Sequence, residues 1–303
     1  MSVNNGFLEL CRSGVAKDVI KAIENGTNVN ERDGHGNTAL IFAASERPNI
    51  RIIEVLLDNG ANVNAKNNDG FTALMFAAAR TTYPAVIALL LQAGADVDAA
   101  LGNGWTALMF AAAANPDPEI IRMLCDGGAR VNRRAEDDGT TALMLAAERN
   151  PNSDVVRELI RCGAHVNAKD DSGRTALIGA ALRNSKLVSG PDPNPEVIDA
   201  LLDGGADVNA VGKDGETALM AAATNQHPES VSALLAAGAN VNARGKDNIT
   251  VLMAAAVSKN PEVPALLIKA GADVNAVTEK DGMTPLMVAA GNNANVEVFK
   301  VLL

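Results

Sequence analysis

Apolar residues fall along this chain in short clusters at helical spacing, two clusters to a copy, with polar turns between. In Thr72-Ala-Leu-Met-Phe-Ala-Ala-Ala-Arg80, the residues Leu74, Met75 and Ala78 share one stripe and predict a short helix. Thr72 is placed to cap it, since a threonine hydroxyl accepts one of the unpaired backbone N–H groups of a first turn. Pro84 then opens a second helix as a first-turn proline. Val86, Ile87, Leu89 and Leu90 give that helix its apolar face, and Gly94 ends it at a position suited to left-handed backbone. Ala95-Asp-Val-Asp98 enters a hairpin-like turn that returns through Gly104 to the next threonine.

The same unit recurs. Its anchoring threonines are Thr38, Thr72, Thr106, Thr141, Thr175, Thr217, Thr250 and Thr284, at steps of 33 to 35 residues with one step of 42. A fixed period of this length means one supersecondary unit copied and stacked, each copy burying an apolar side against its neighbours. The expected architecture is an all-α solenoid of nine helix pairs, with residues 1–303 as a single domain. Residues 1–37 read as an N-terminal capping unit, with Val19, Ile20 and Ile23 packing while Glu9, Arg12, Lys17, Lys21 and Glu24 face water. Seven full repeats follow over 38–283, and 284–303 read as a truncated C-terminal repeat that stops inside a second helix. The long step carries an insertion near 184–195, rich in proline, which predicts a surface loop that serves either as a binding element or as a tolerated, functionless extension.

Composition narrows the function. The chain is 48% hydrophobic and only 3% aromatic, with a formal net charge of −10. An acidic balance argues against nucleic acid, whose phosphates are bound by clustered Lys and Arg. No apolar run of 18 residues occurs, so no membrane span is expected. Met1-Ser-Val-Asn-Asn-Gly has no signal-peptide character, and a cytoplasmic location is the expectation, with signal-less secretion left open. Cys11, Cys125 and Cys162 lack metal or disulfide spacing and read as buried helix fillers. His35, His165 and His227 sit at unrelated positions of three units, and no catalytic or phosphate-binding motif is present. Asparagines 64, 167, 209, 242 and 275 recur after valine, where a side-chain amide satisfies backbone groups of the turn. The chain is therefore read as non-enzymatic, with no cofactor or metal, and as a monomer.

Gly60-Ala-Asn-Val-Asn-Ala65, Gly205-Ala-Asp-Val-Asn-Ala210, Gly238-Ala-Asn-Val-Asn-Ala243, Gly271-Ala-Asp-Val-Asn-Ala276 and Thr284-Pro-Leu-Met-Val-Ala-Ala290 together resemble the ankyrin repeat, over Phe7 to Leu303. The Thr-Ala-Leu-Met variant is similar to arrays in bacterial members of that family. The family's histidine after T-P-L is replaced by methionine or isoleucine throughout, exchanging an imidazole network for adaptable apolar packing.

The resemblance implies a protein partner on a concave face made of the turn tips and the exposed sides of the first helices. That face takes in the residue before each threonine, including Thr140, and the first-helix ends, including Ser258. The candidates on it are Phe71, Arg80, Leu101, Trp105, Arg134, Arg149, Arg174, Arg183, Ile249 and Met283. An apolar anchor near Trp105 and acidic groups near Arg149 and Arg174 would suit it, since exposed Trp and Arg are frequent interface anchors. Against this stand part-burial of Trp105 on the next turn and solvated pairing of the arginines with Glu148, Asp171 or Asp138. The alternative role is an inhibitor or immunity-type protein that occludes a partner enzyme. An enzyme on a stacked scaffold and an engineered consensus scaffold fit the sequence less well.

Overall fold

A computed structural model describes residues 6–45, 48–80, 82–182, 195–225, 227–292 and 295–303. The expected 184–195 loop lies, but for its last residue, outside them, as does Arg183. The chain divides into two compact units, residues 1–137 with 161–164, and 138–160 with 165–303.

The first unit holds four helix pairs: α1 (Gly6–Ser13) and α2 (Ala16–Glu24), α3 (Ala39–Ala43) and α4 (Ile50–Asp58), α5 (Ala73–Arg80) and α6 (Pro84–Gln92), α7 (Ala107–Ala114) and α8 (Pro118–Asp126). The second holds five: α9 (Ala142–Arg149) and α10 (Ser153–Arg161), α11 (Ala176–Leu182) and α12 (Pro195–Asp203), α13 (Ala218–Thr224) and α14 (Pro228–Ala236), α15 (Val251–Ala256) and α16 (Glu262–Lys269), α17 (Pro285–Asn292) and α18 (Val296–Leu302). The fold is an all-α repeat solenoid. Isolated bridges such as Ala100–Thr106 and Val211–Thr217 give the connecting turns their hairpin character, and no strand forms among the described residues.

Within each unit the first helices pack on one another in sequence, α1 on α3, α3 on α5 and α5 on α7, and the second helices do the same. The interlayer core is largely what the apolar stripes predict: Leu74, Met75, Ala78, Val86, Ile87 and Leu90 are all fully buried, while Leu89 is only half-buried. Alanine at the first-helix positions lets neighbouring helices approach closely, so few aromatics are needed to fill the interior. All eight anchoring threonines cap their helices, each hydroxyl oxygen accepting the N–H three residues on at 3.2–3.4 Å.

Side-chain amides tie the copies together. Asn64 Nδ2 donates to the Gly94 carbonyl at 3.0 Å while its Oδ1 accepts the Asp96 N–H at 2.7 Å. Asn30, Asn167, Asn209 and Asn242 repeat both bonds on the copy that follows them. At the turn tips a backbone N–H crosses to the preceding tip, as in Asn68 to His35 at 2.9 Å and Lys213 to Ser172 at 3.0 Å. Buried Asn115 reaches back from its inter-helix turn to the Ala78 carbonyl at 2.9 Å.

Candidate interaction surface

The residue before each threonine is held by its own turn. Asn67 Oδ1 accepts the N–H of Asp69 at 3.1 Å and of Phe71 at 2.8 Å, and Asp170 does the same for Ser172 and Arg174, both at 2.8 Å. Such turns fix the backbone from which these side chains project.

In the first unit four aromatic rings form one run. Phe71 lies 5.1 Å from Phe76 and 5.3 Å from Phe110, and Trp105 lies 5.2 Å from Phe110, centroid to centroid, with interplanar angles of 35°, 43° and 56°. Phe71 and Trp105 come from turn tips, Phe76 and Phe110 from α5 and α7. All four are half-buried. Tilted contacts at this spacing are favourable in themselves and hold each ring in place for a partner. Leu101 lies over Gly70, close enough that a Cβ there would meet its Cδ2 at 3.3 Å. Arg80, which ends α5, and Arg134 are exposed. Sequence reasoning passed over Phe76 and Phe110. Their signal was the fourth position after each threonine, which reads Phe42, Phe76, Phe110, Leu145, Gly179, Ala221, Ala254 and Val288.

The expected arginines of the second unit are engaged with nearby carboxylates. Arg174 pairs with Asp170 at 3.1 Å, and Arg149 lies 3.9 Å from its neighbour Glu148. Other basic residues of the middle repeats serve the scaffold. Lys169 donates to the Val211 carbonyl at 2.8 Å, and Arg133 of the first unit to the Asp98 carbonyl at 3.4 Å. Burial pushes the Glu216 carboxyl up against the opposing pull of Arg174, with Asp214 adding to the rise. Ile249 and Met283 line one groove between adjacent copies.

Two positions assigned to the surface are interior. Thr140 is buried beside the capping Thr141. Ser258 is buried because α15 stops at Ala256, leaving this serine in the inter-helix turn, where it bonds Asn260. Among the cysteines only Cys11 is a buried filler, its thiol pushed up to about 12 by burial and by Glu31; Cys125 and Cys162 are half-buried.

Of the polar clusters, one cavity of about 310 Å³ is lined by Glu9, Arg12, Asp33, His35 and Asn37 with Leu8 and Phe42. Burial works against the Asp33 carboxylate, but bonds from the Asn37 amide and from the N–H groups of Asn37 and His35, with the His35 charge, hold its pKa below the usual value. Among the described residues no three His, Cys, Asp or Glu side chains gather to hold a metal ion, and no helix is long and apolar enough to cross a membrane.

Paired helices, amide-linked copies and a surface whose side chains vary on a constant frame define a helical repeat protein. The family model described as ankyrin repeats (3 copies) matches residues 7–101, 78–170, 108–189, 145–245, 187–278 and 244–303. The chain belongs to the ankyrin-repeat family, whose repeats are in general protein–protein interaction modules. No curated protein matches the chain.

Proposed function

We propose that the protein is a non-enzymatic binding module that docks a partner protein on the face made by its turn tips and first helices. In the first unit the anchor is the run Phe76, Phe71, Phe110 and Trp105. The observation that carries this reading is the ring run itself, because four half-buried aromatics in mutual contact exceed what a 3% aromatic chain needs for its alanine-built interior. Large, rigid rings present apolar area at little cost in side-chain entropy and are enriched among the residues that dominate binding. Arg149 and Arg174 contribute less on this reading, since a partner's carboxylate must compete with Glu148 and Asp170.

The test is a Phe71→Ala/Trp105→Ala variant whose circular dichroism matches the wild type. Partner recovery from native lysate is expected to fall by tenfold or more, in line with losses of about 2 kcal/mol or more at interface anchors. Undiminished recovery refutes the assignment of this face.

A further inference from the structure

A groove of about 450 Å³ in the second unit is built differently from the aromatic run. Met253, Ala254, Met283 and Val288 line it, with Ile249 43% exposed and Val257 37% exposed at its edges. Exposed β-branched side chains beside buried Met253 leave a mainly apolar trough, with Thr224, Thr278 and Asn292 as its other polar lining. That lining suits a large apolar side chain better than a polar small molecule.

The rim carries charge. Asp247 and Asp281 line the groove with Lys280, and among the described residues neither carboxylate is in an ion pair. The rim is therefore net acidic on a chain of net charge −10. That balance repels phosphate-bearing ligands and anionic surfaces and attracts a basic segment.

The tip that supplies Asp247 is itself unusual. Asp247 (φ 56°) and Asn248 (φ 58°) are the only non-glycine residues with positive φ among those described; Asn248 stands where the neighbouring copies hold Gly215 and Gly282, and Asp247 where they hold Asp214 and Asp281. Left-handed backbone is unfavourable at an L-residue, somewhat less so for Asx, and such strain gathers at functional segments. This tip sets Asp247 on the groove's rim as the next tip sets Asp281.

We propose that this groove receives one large aliphatic or aromatic side chain of a partner protein segment that carries lysine or arginine beside it. The inference rests on the protein-binding reading and adds a second site with its own chemistry. Met253 and Met283 allow the trough to adapt to anchors of different shape. Asp247 and Asp281 select the flanking basic residues.

The test is selection of a displayed library of random twelve-residue peptides on the 303-residue chain. Fluorescence polarisation of the enriched peptides, labelled with fluorescein, follows against folded variants. Enriched peptides are expected to pair a large apolar residue with Lys or Arg. Ile249→Glu, and independently Val257→Glu, should weaken them at least tenfold. Asp247→Asn with Asp281→Asn should weaken them threefold to tenfold and flatten their salt dependence, while Phe71→Ala/Trp105→Ala leaves them unchanged. Acidic flanks, or binding indifferent to both Glu substitutions, overturn the proposal, and so does a selection that enriches nothing. Peptides lost only on Phe71→Ala/Trp105→Ala overturn the groove while leaving the protein-binding reading in place.

Discussion

At the scale of single residues, the asparagine after valine decides how firmly one copy holds the next. Its amide is both donor and acceptor, so one side chain closes two backbone bonds across a junction, as Asn64 does with Gly94 and Asp96. Asp98 shows what is lost without the donor: its carboxylate still accepts the Arg130 N–H at 2.9 Å, and an ion pair to the Arg130 guanidinium at 3.1 Å replaces the other bond. Asn64→Ala is expected to cost about 1–2 kcal/mol, two exposed bonds at the lower end of the usual range. The reading is a lower urea midpoint with an unchanged m-value. The sequence announced these amides as turn residues, but not that their partners sit in the following copy, because recurrence shows what is repeated and not what it touches. Glu31 gives a pH-dependent case. Burial raises its carboxyl above the ordinary 4.5, so the folded state favours the protonated form and loses stability as pH rises past that value. Glu31→Gln should therefore raise the thermal midpoint at pH 7, with the gain shrinking as pH falls below about 4.5. An equal gain at pH 3 and pH 7 would refute this origin.

At the scale of elements, helix starts and the glycine-closed ends of the second helices were legible, and the ends of the first helices were not. The threonine anchors, first-turn prolines and closing glycines each act through one local bond or one φ angle, and the helices begin at the first two and the second helices stop at the third, as α6 does before Gly94. Where α15 stops depends on packing and on the Ser258–Asn260 turn, so a six-residue helix stands where α5 has eight, and Ser258 turned out to be interior. The aromatic run escaped for a related reason. Phe71 and Trp105 precede their threonines in exposed turns, but Phe76 and Phe110 lie inside apolar helical strings, where a phenylalanine reads as core. The strained tip makes a test at this scale. Gly215 and Gly282 adopt positive φ without a Cβ to clash, and Asn248 adopts it at some cost. Asn248→Gly is expected to stabilise the protein by about 0.5–1 kcal/mol, read as a higher urea midpoint. A loss of stability would mean that the asparagine side chain contributes more than its backbone costs.

At the scale of the whole molecule, a repeat protein's stability is a sum of copies and of the junctions between them, so one substitution has different costs at equivalent positions. The methionine three residues after six of the eight threonines shows this. Met75 is 1% exposed, in α5, which packs on α7 of the next copy. Met287 holds the same place in α17 and is 55% exposed. The sequence writes the two alike, as Thr72-Ala-Leu-Met75 and Thr284-Pro-Leu-Met287, and local propensity cannot tell them apart. Burial can. Truncating Met75 removes side-chain volume from a junction that closes only partly over the gap, so Met75→Ala should cost about 2–5 kcal/mol. Met287→Ala leaves no enclosed gap and should stay within roughly 0.5 kcal/mol of the parent, as surface changes do. Urea denaturation of both variants reads the difference directly. Near-equal losses would place the stabilisation inside each helix pair, and the view of copies that bury one another's apolar sides would fail with it.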